Sequence, residues 1–178
     1  MNINQIQDPI RQLINNYKKF KAGGKHKYEL YKNLAIGHFQ RNWNPEANDF
    51  YAMIRESFRK HINLIYQLSY SSILYLALKK PEETRRLFND LYNEELDLQD
   101  RIRNFRNVAD MLYAQIYEGR KALQDERSIS VYLSSRYPDK YFLYKSSYYT
   151  KYLELVGEES PPPGLKYLHY IKLMKDLR

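Results

Sequence analysis

Apolar residues recur every three or four positions along most of the chain, which is the spacing that places side chains on one face of an α-helix. After Pro81, for example, Leu87, Phe88 and Leu91 form an apolar face behind an acidic first turn. The predicted helices begin at Asp8-Pro9 and then cover residues 28–39, 45–58, 61–79, 81–91, 94–117, 125–137, 146–157 and 165–178. This pattern predicts an all-α protein, a single irregular multi-helix bundle of about seven to nine helices.

Four segments add detail to this prediction. Residues 61–79 are the most hydrophobic and are apolar on more than one face, so we expect the central helix there. Trp43 lies in a predicted turn, where it either fills the core or faces a ligand. At residues 141–144, aromatic residues that favour β structure make a short strand an alternative prediction. Three prolines at 161–163 form a stiff break, which divides a helical domain, 1–160, from a terminal helix, 161–178, that we expect to lead into a domain outside this chain.

Helix caps are predicted from short polar side chains just before the apolar stripes. Pro45 is expected to open the third helix, because proline suits the first helical position. Asp125 or Ser128 is expected to cap the helix that ends near residue 137, and Ser146 or Ser147 the one after it.

Composition supports the helical class and removes several kinds of chemistry. The chain has 22 Leu and 13 Ile but only 3 Val, whereas a sheet protein would use far more Val. It has no Cys, which excludes disulfides, Cys-ligated zinc, iron–sulfur clusters and cysteine nucleophiles. The four histidines, at 26, 38, 61 and 169, lack metal-ligand spacing, so each is expected to be a surface or packing residue.

No motif for catalysis or nucleotide binding is present in the sequence. The glycines at 23 and 24, followed by Lys25, are the nearest thing to a phosphate-binding loop, but positions 19 and 26 lack the Gly and the Ser or Thr of that motif. No Ser-centred nucleophile motif occurs either. We therefore expect no enzymatic activity in this chain alone, no cofactor and no metal. An enzyme with an all-helical pocket is a further hypothesis, but no group of residues in the sequence supports it.

The hydropathy pattern bears on location. No apolar run approaches the roughly 18–20 residues of a membrane span. The first residues do not combine a positive start with an apolar stretch, so no signal peptide is indicated. We expect a cytoplasmic protein with no membrane partner.

Positive charge is concentrated in two segments of a chain whose net charge is +8. The first holds five lysines and no acid: Lys18, Lys19, Lys21, Lys25 and Lys27. It is either a solvated loop or a loop that contacts phosphates.

The second basic segment, residues 136–152, reads RYPDKYFLYKSSYYTKY and is also rich in tyrosine. Its candidate nucleic-acid-binding residues are Arg136, Lys140, Tyr141, Lys145, Tyr148, Tyr149 and Lys151. Aromatic rings beside cations hold single-stranded or flipped bases by stacking. The competing interpretation is that tyrosines spaced by three or four residues are core residues with hydrated hydroxyls.

The sequence over residues 124–157, QDERSISVYLSSRYPDKYFLYKSSYYTKYLELVG, resembles a segment upstream of the ATPase domain in McrB-like proteins. These are AAA-type NTPase subunits of modification-dependent restriction systems. The shared features are a helix, the turn Pro138-Asp139-Lys140-Tyr141 and the element Lys145-Ser146-Ser147-Tyr148. The stretches NINQIQDPIRQLINNYKK and NWNPEANDFYAMIRESF are also similar to such N-terminal regions.

The resemblance implies a non-catalytic DNA-recognition or targeting region, followed in the full-length protein by a nucleotide-driven motor. The implied partners are DNA, which can carry a modified base, and a companion restriction subunit, with oligomerisation through the motor domain. Lys/Arg and the Tyr-rich segment would contact the DNA. The alternative is a helical protein–protein interaction or assembly module that binds no nucleic acid; its net charge of +8 suits an acidic protein partner.

Overall fold

A computed structural model describes residues 3–24 and 29–176, with side chains from residue 11 onward. Over these residues the fold is all-α, as predicted, with nine helices and no strand. The helices are α1 (Ile3–Ala22), α2 (Leu30–Asn42), α3 (Phe50–Ser57), α4 (Gln67–Lys79), α5 (Pro81–Tyr92), α6 (Leu98–Ile116), α7 (Glu126–Arg136), α8 (Ser146–Val156) and α9 (Lys166–Asp176).

The first helix differs from the prediction at both ends. It begins at Ile3 and not at Pro9, and it continues to Ala22. Lys18, Lys19 and Lys21 therefore lie on a helix and not in a loop. Lysine is a good helix former and is favoured near a helix C-terminus by the macrodipole, which explains why the run of lysines does not end α1.

Aspartate side chains cap the starts of α3, α6 and α7. The Asp49 carboxylate accepts the Ala52 N–H at 2.8 Å, so Asp49 caps α3 and the prediction of a start at Pro45 is wrong. Asp125 caps α7 in the same way, as predicted. No side chain caps α8, so the prediction of a serine cap there is also wrong.

The central helix is α7, and not the hydrophobic segment 61–79. Residues 58–66 are turns, and α4 begins only at Gln67, with one side open to solvent. In α7, by contrast, every residue from Ser128 to Ser135 is buried. Serine fits there because it is small and because its hydroxyl can bond to the carbonyl of the preceding turn, as the Ser135 hydroxyl does with Val131 at 2.7 Å.

Aromatic rings fill the space between α2, α3, α5 and α7. Trp43 stacks on Phe39, with ring centroids 5.0 Å apart, and lies 5.4 Å from Phe88. Trp43 therefore packs against the core while staying partly exposed, which agrees with the first of the two interpretations. Tyr132 of α7 meets Phe58 and Phe88 from the other side, at 5.2 and 5.3 Å.

The C-terminal helix returns to this core after the proline break. Tyr167 of α9 is buried, and its hydroxyl donates to the Phe142 carbonyl at 3.0 Å. Its backbone N–H donates to the Glu126 carboxylate at 2.9 Å, which attaches α9 to the start of α7. The domain boundary after residue 160 stays a prediction. No helix among the described residues has the length and apolar character needed to cross a membrane.

Candidate nucleic-acid interface

A cleft of about 250 Å³ lies where the starts of α2, α7 and α8 meet. Its lining includes three cations and two partly or fully exposed tyrosines: Lys32, Arg127, Lys145, Tyr31 and Tyr148. Leu64, Val131 and Tyr144 supply the apolar part of the lining. The cleft thus combines positive charge, aromatic rings and an apolar floor.

The extended loop before α8 brings the sequence-predicted Lys145 and Tyr148 to this cleft. The Tyr144 N–H donates to the Ser130 hydroxyl at 3.0 Å, which holds the loop along α7. Lys145 is the next residue, and Arg127 lies one turn before Ser130 on α7. α8 begins directly afterwards, so Tyr148 stands in its first turn at the edge of the cleft.

Each cation of the cleft lies near a tyrosine ring. The Lys145 ammonium is 4.5 Å from the ring centre of Tyr148, which is 64% exposed. Lys32 is 6.0 Å from the ring of Tyr31, and the Arg127 guanidinium is 5.6 Å from the ring of Tyr66. All three rings are also open to solvent. Such pairs offer an aromatic surface and a positive charge within a few ångströms of each other.

Acidic neighbours partly balance the cleft's charge. Glu29 pairs with Lys32 and also lines the cleft. The Asp125 carboxylate lies 3.7 Å from the Arg127 guanidinium. The Nε of Arg127 is buried and has no hydrogen-bond partner among the residues that the structure describes. Because no side chain caps α8, its positive end also faces this region. The start of α8 therefore leaves backbone N–H donors that suit an anion beside the cleft.

Two of the predicted tyrosines are core residues. The Tyr141 hydroxyl accepts a hydrogen bond from Arg101 at 2.8 Å and donates one to Glu94 at 3.1 Å. The Tyr149 hydroxyl lies 2.7 Å from Nδ1 of His169. Both side chains are buried, and burial raises the pKa of both hydroxyls. In this arrangement neither ring is open to a base, which agrees with the competing interpretation of the Tyr-rich segment.

Arg136 and Lys140 lie at the other end of α7, away from the cleft. Arg136 is nine positions after Arg127 on α7, which corresponds to a rise of about 14 Å along the helix. Lys140 pairs with Glu94, and this hydrogen bond lowers the pKa of the Glu94 carboxyl. The Arg136 guanidinium lies 5.4 Å from the ring of Tyr137. The segment 136–151 therefore does not form one surface.

The remaining candidates lie on or near α8. Lys151 follows Tyr148 by three residues on the same face of α8 and is exposed. The lysines of α1, at 18, 19 and 21, are exposed on a helix that contacts α8. Lys25 and Lys27 fall outside the described residues.

Sequence reasoning missed three residues that line the cleft, Tyr31, Lys32 and Arg127, and it also missed Tyr66, whose ring lies beside Arg127. Each is a single residue in an ordinary helical or turn context, and the four come from three separate segments of the chain. No local spacing connects them, so only the tertiary packing of α2 and the 58–66 turns against α7 could have revealed them.

Comparisons with known proteins give no relative. No protein-family model matches the chain, and no curated protein or solved structure matches it.

Proposed function

We propose that this chain is a non-catalytic nucleic-acid-binding domain that uses the cleft at the starts of α2, α7 and α8. The observation that carries the proposal is the set of three exposed tyrosine–cation pairs around one cleft. Lys32, Arg127 and Lys145 contact phosphates, and Tyr31 and Tyr148 stack on bases. Stacking contributes roughly 1–3 kcal/mol per base and tolerates any sequence, because every base has an aromatic face.

The resemblance to McrB-like proteins gives this activity a context. The segment that resembles them, residues 124–157, contains Arg127, Lys145 and Tyr148. In that context the ligand is DNA, including DNA with a modified base, and the chain works in the cytoplasm in front of an AAA-type motor domain and beside a companion restriction subunit. The context rests on the resemblance alone, whereas the cleft supports nucleic-acid binding independently of it.

The lysines of α1 are not included in the proposed interface. They border the half-exposed apolar side chains of Leu13, Ile14, Tyr17 and Phe20, which a phosphate backbone would leave uncovered.

A fluorescence anisotropy titration tests the proposal with three labelled probes: a single strand, a duplex and a methylated duplex. Three phosphate contacts to a single strand predict a slope of about −2 for log affinity against log salt. Raising the salt from about 50 mM to about 200 mM should therefore weaken binding about 20-fold. Absence of binding to all three probes at the lower salt concentration would refute the proposal.

Variants locate the binding surface. Tyr148→Ala and Lys145→Gln should each weaken binding, while their exposed positions leave the fold intact. Tyr75→Ala and Lys121→Gln are matched controls, because both residues are exposed and neither lines the cleft. Equal affinities for the cleft variants and the controls would show that binding takes place elsewhere.

The alternative function, a protein–protein interaction module, is favoured by the open side of α4. Tyr51, Leu74, Tyr75 and Leu78 line a shallow groove of about 260 Å³, and Leu78 is half-exposed. A pull-down against the companion subunit, together with the anisotropy titration, separates the two functions: a stable complex without nucleic-acid affinity favours the interaction module.

A further inference from the structure

An open apolar stripe runs along α1. Leu13, Ile14, Tyr17 and Phe20 are between 39% and 62% exposed, and the rings of Tyr17 and Phe20 stack with centroids 6.5 Å apart. α1 contacts α8, yet every residue from 11 to 22 remains exposed. The helices from α2 to α9 each bury at least two residues. The stripe on α1 is therefore a contiguous apolar surface that the described part of the chain leaves open.

The spacing of the stripe is that of a helix that packs along its length. Leu13, Tyr17 and Phe20 are separated by four and then three residues. In the sequence, isoleucines at 3, 6 and 10 continue the same alternation of three and four. Because α1 begins at Ile3, the repeat spans one uninterrupted helix. Alternating spacing of this kind forms a seam against a partner element.

One edge of this seam is basic. Arg11, Lys18 and Lys21 lie beside the stripe, since each is three or four residues from one of its members. Lys19, two residues beyond Tyr17, points to the far side of the helix. A surface that covers the seam must therefore be apolar at its centre and acidic along one side.

The chain carries a surface of this composition at the connection between α5 and α6. A cleft of about 270 Å³ lies there, and its lining consists of Asp90, Leu96, Asp97, Asp100, Asn104 and the buried Arg101. The Leu96 side chain is 49% exposed. Glu95 is exposed beside it. Asp97 caps α6 and Asp100 pairs with Arg103, so the acidic character beside the exposed Leu96 comes mainly from Asp90 and Glu95.

We propose that α1 of one copy of this chain docks on the acidic surface around Leu96 of a second copy. The apolar stripe covers Leu96, and the lysines of the basic edge meet the carboxylates. If each copy gives its α1 to the other, the two identical contacts close a dimer with twofold symmetry, the commonest arrangement of soluble homo-oligomers. This interface is separate from the cleft at the starts of α2, α7 and α8, so it stands whether or not that cleft binds nucleic acid.

Charge reversal on either side tests the proposal by sedimentation velocity over a hundredfold range of protein concentration. The wild type should form a dimer as concentration rises, and more weakly at high salt. Lys18→Glu with Lys21→Glu reverses the basic edge, and Asp90→Lys with Glu95→Lys reverses the acidic surface. Each double variant alone should remain a monomer, because its helix and its docking surface then carry like charges.

Mixing the two double variants is the decisive measurement. In the mixed pair both contacts regain opposite charges, so a dimer of one copy of each should form. The matched control is Lys19→Glu with Lys121→Glu, which changes the same net charge away from the seam and should dimerise like the wild type. Leu13→Gln should weaken the dimer through the apolar stripe, and circular dichroism checks that each variant stays folded.

Three results would overturn the proposal. The first is a wild type that stays monomeric at every concentration. The second is a dimer that persists in both double variants, or a dimer that is lost in each variant and does not form again when the two are mixed. The third is a monomer whose α1 binds vesicles with anionic headgroups, which would identify a lipid surface as the cover of the stripe.

Discussion

His61 lies in the turns between α3 and α4 with its ring fully buried. Its Nε2 is 2.9 Å from the Ser135 hydroxyl, whose own proton goes to the Val131 carbonyl at 2.7 Å. His61 must therefore donate from Nε2, which leaves Nδ1 as the unprotonated nitrogen. That Nδ1 is buried without a partner, and the rings of Phe39 and Phe58 lie 6.2 and 5.2 Å away. A proton added to Nδ1 would find no acceptor.

This environment makes the free energy of unfolding depend on pH. Burial, with a smaller contribution from the charge of His38, lowers the pKa of His61 from 6.5 to about 4. The unfolded chain therefore binds a proton at a higher pH than the folded one does. The stabilisation is complete above pH 6.5 and is lost progressively as the pH falls to about 4 and below. The difference between these two pKa values corresponds to about 3 kcal/mol of stability, of which about 2 kcal/mol is already lost at about pH 5.

Urea denaturation of the wild type and of His61→Gln measures this contribution. Glutamine has a side-chain N–H that can donate to Ser135, but it does not titrate. Carboxylates titrate alike in both proteins, so the difference between them isolates His61. Between neutral pH and about pH 5, the wild type should lose about 2 kcal/mol more stability than the variant. Equal losses would refute the reasoning, because they would mean that the folded protein accommodates a charged His61.

Four further changes test the packing. Tyr141→Phe removes the hydrogen bonds to a buried arginine and to a carboxylate and should lower the free energy of unfolding by about 1–3 kcal/mol in urea denaturation. Tyr148→Phe, on an exposed ring, should change it by less than about 0.5 kcal/mol, and a larger loss would mean that Tyr148 is part of the core. Gln124→Leu leaves buried groups unsatisfied, including the Tyr132 hydroxyl 2.9 Å away, and should cost about 2 kcal/mol or more in thermal unfolding; an unchanged midpoint would contradict the assigned network. Gly157→Ala should cost about 1–2 kcal/mol in the same assay, because residue 157 ends α8 with φ at +71°; a neutral result would place α8's end elsewhere.

The two basic segments identified in the sequence have different structural settings. The lysines at 18, 19 and 21 lie on a helix that carries an uncovered apolar stripe. The segment from Arg136 to Lys151 is divided between two ends of α7, and only its second half reaches the cleft with Arg127. Positive charge in the sequence located both segments but did not show which neighbours each would have.

The local pattern of apolar and polar residues was sufficient to predict the all-α class and the ends of several helices. Pro81 begins α5, Asp125 caps α7, and Gly157 ends α8, as the sequence predicted. These features depend on side chains within about four residues of one another, which is the range of helix hydrogen bonds and caps. The local sequence therefore determines these helix ends, independently of how the rest of the chain packs.

Tertiary structure alone decided which of the similar residues became core and which became surface. Tyr141, Tyr148 and Tyr149 belong to one Tyr-rich segment, yet two are buried and Tyr148 is exposed. The buried helix is the serine-rich α7 and not the more hydrophobic α4. Burial depends on which segments meet, and those segments are tens of residues apart, so no local spacing encodes it. For the same reason the cleft at the starts of α2, α7 and α8 emerged only when the helices packed together.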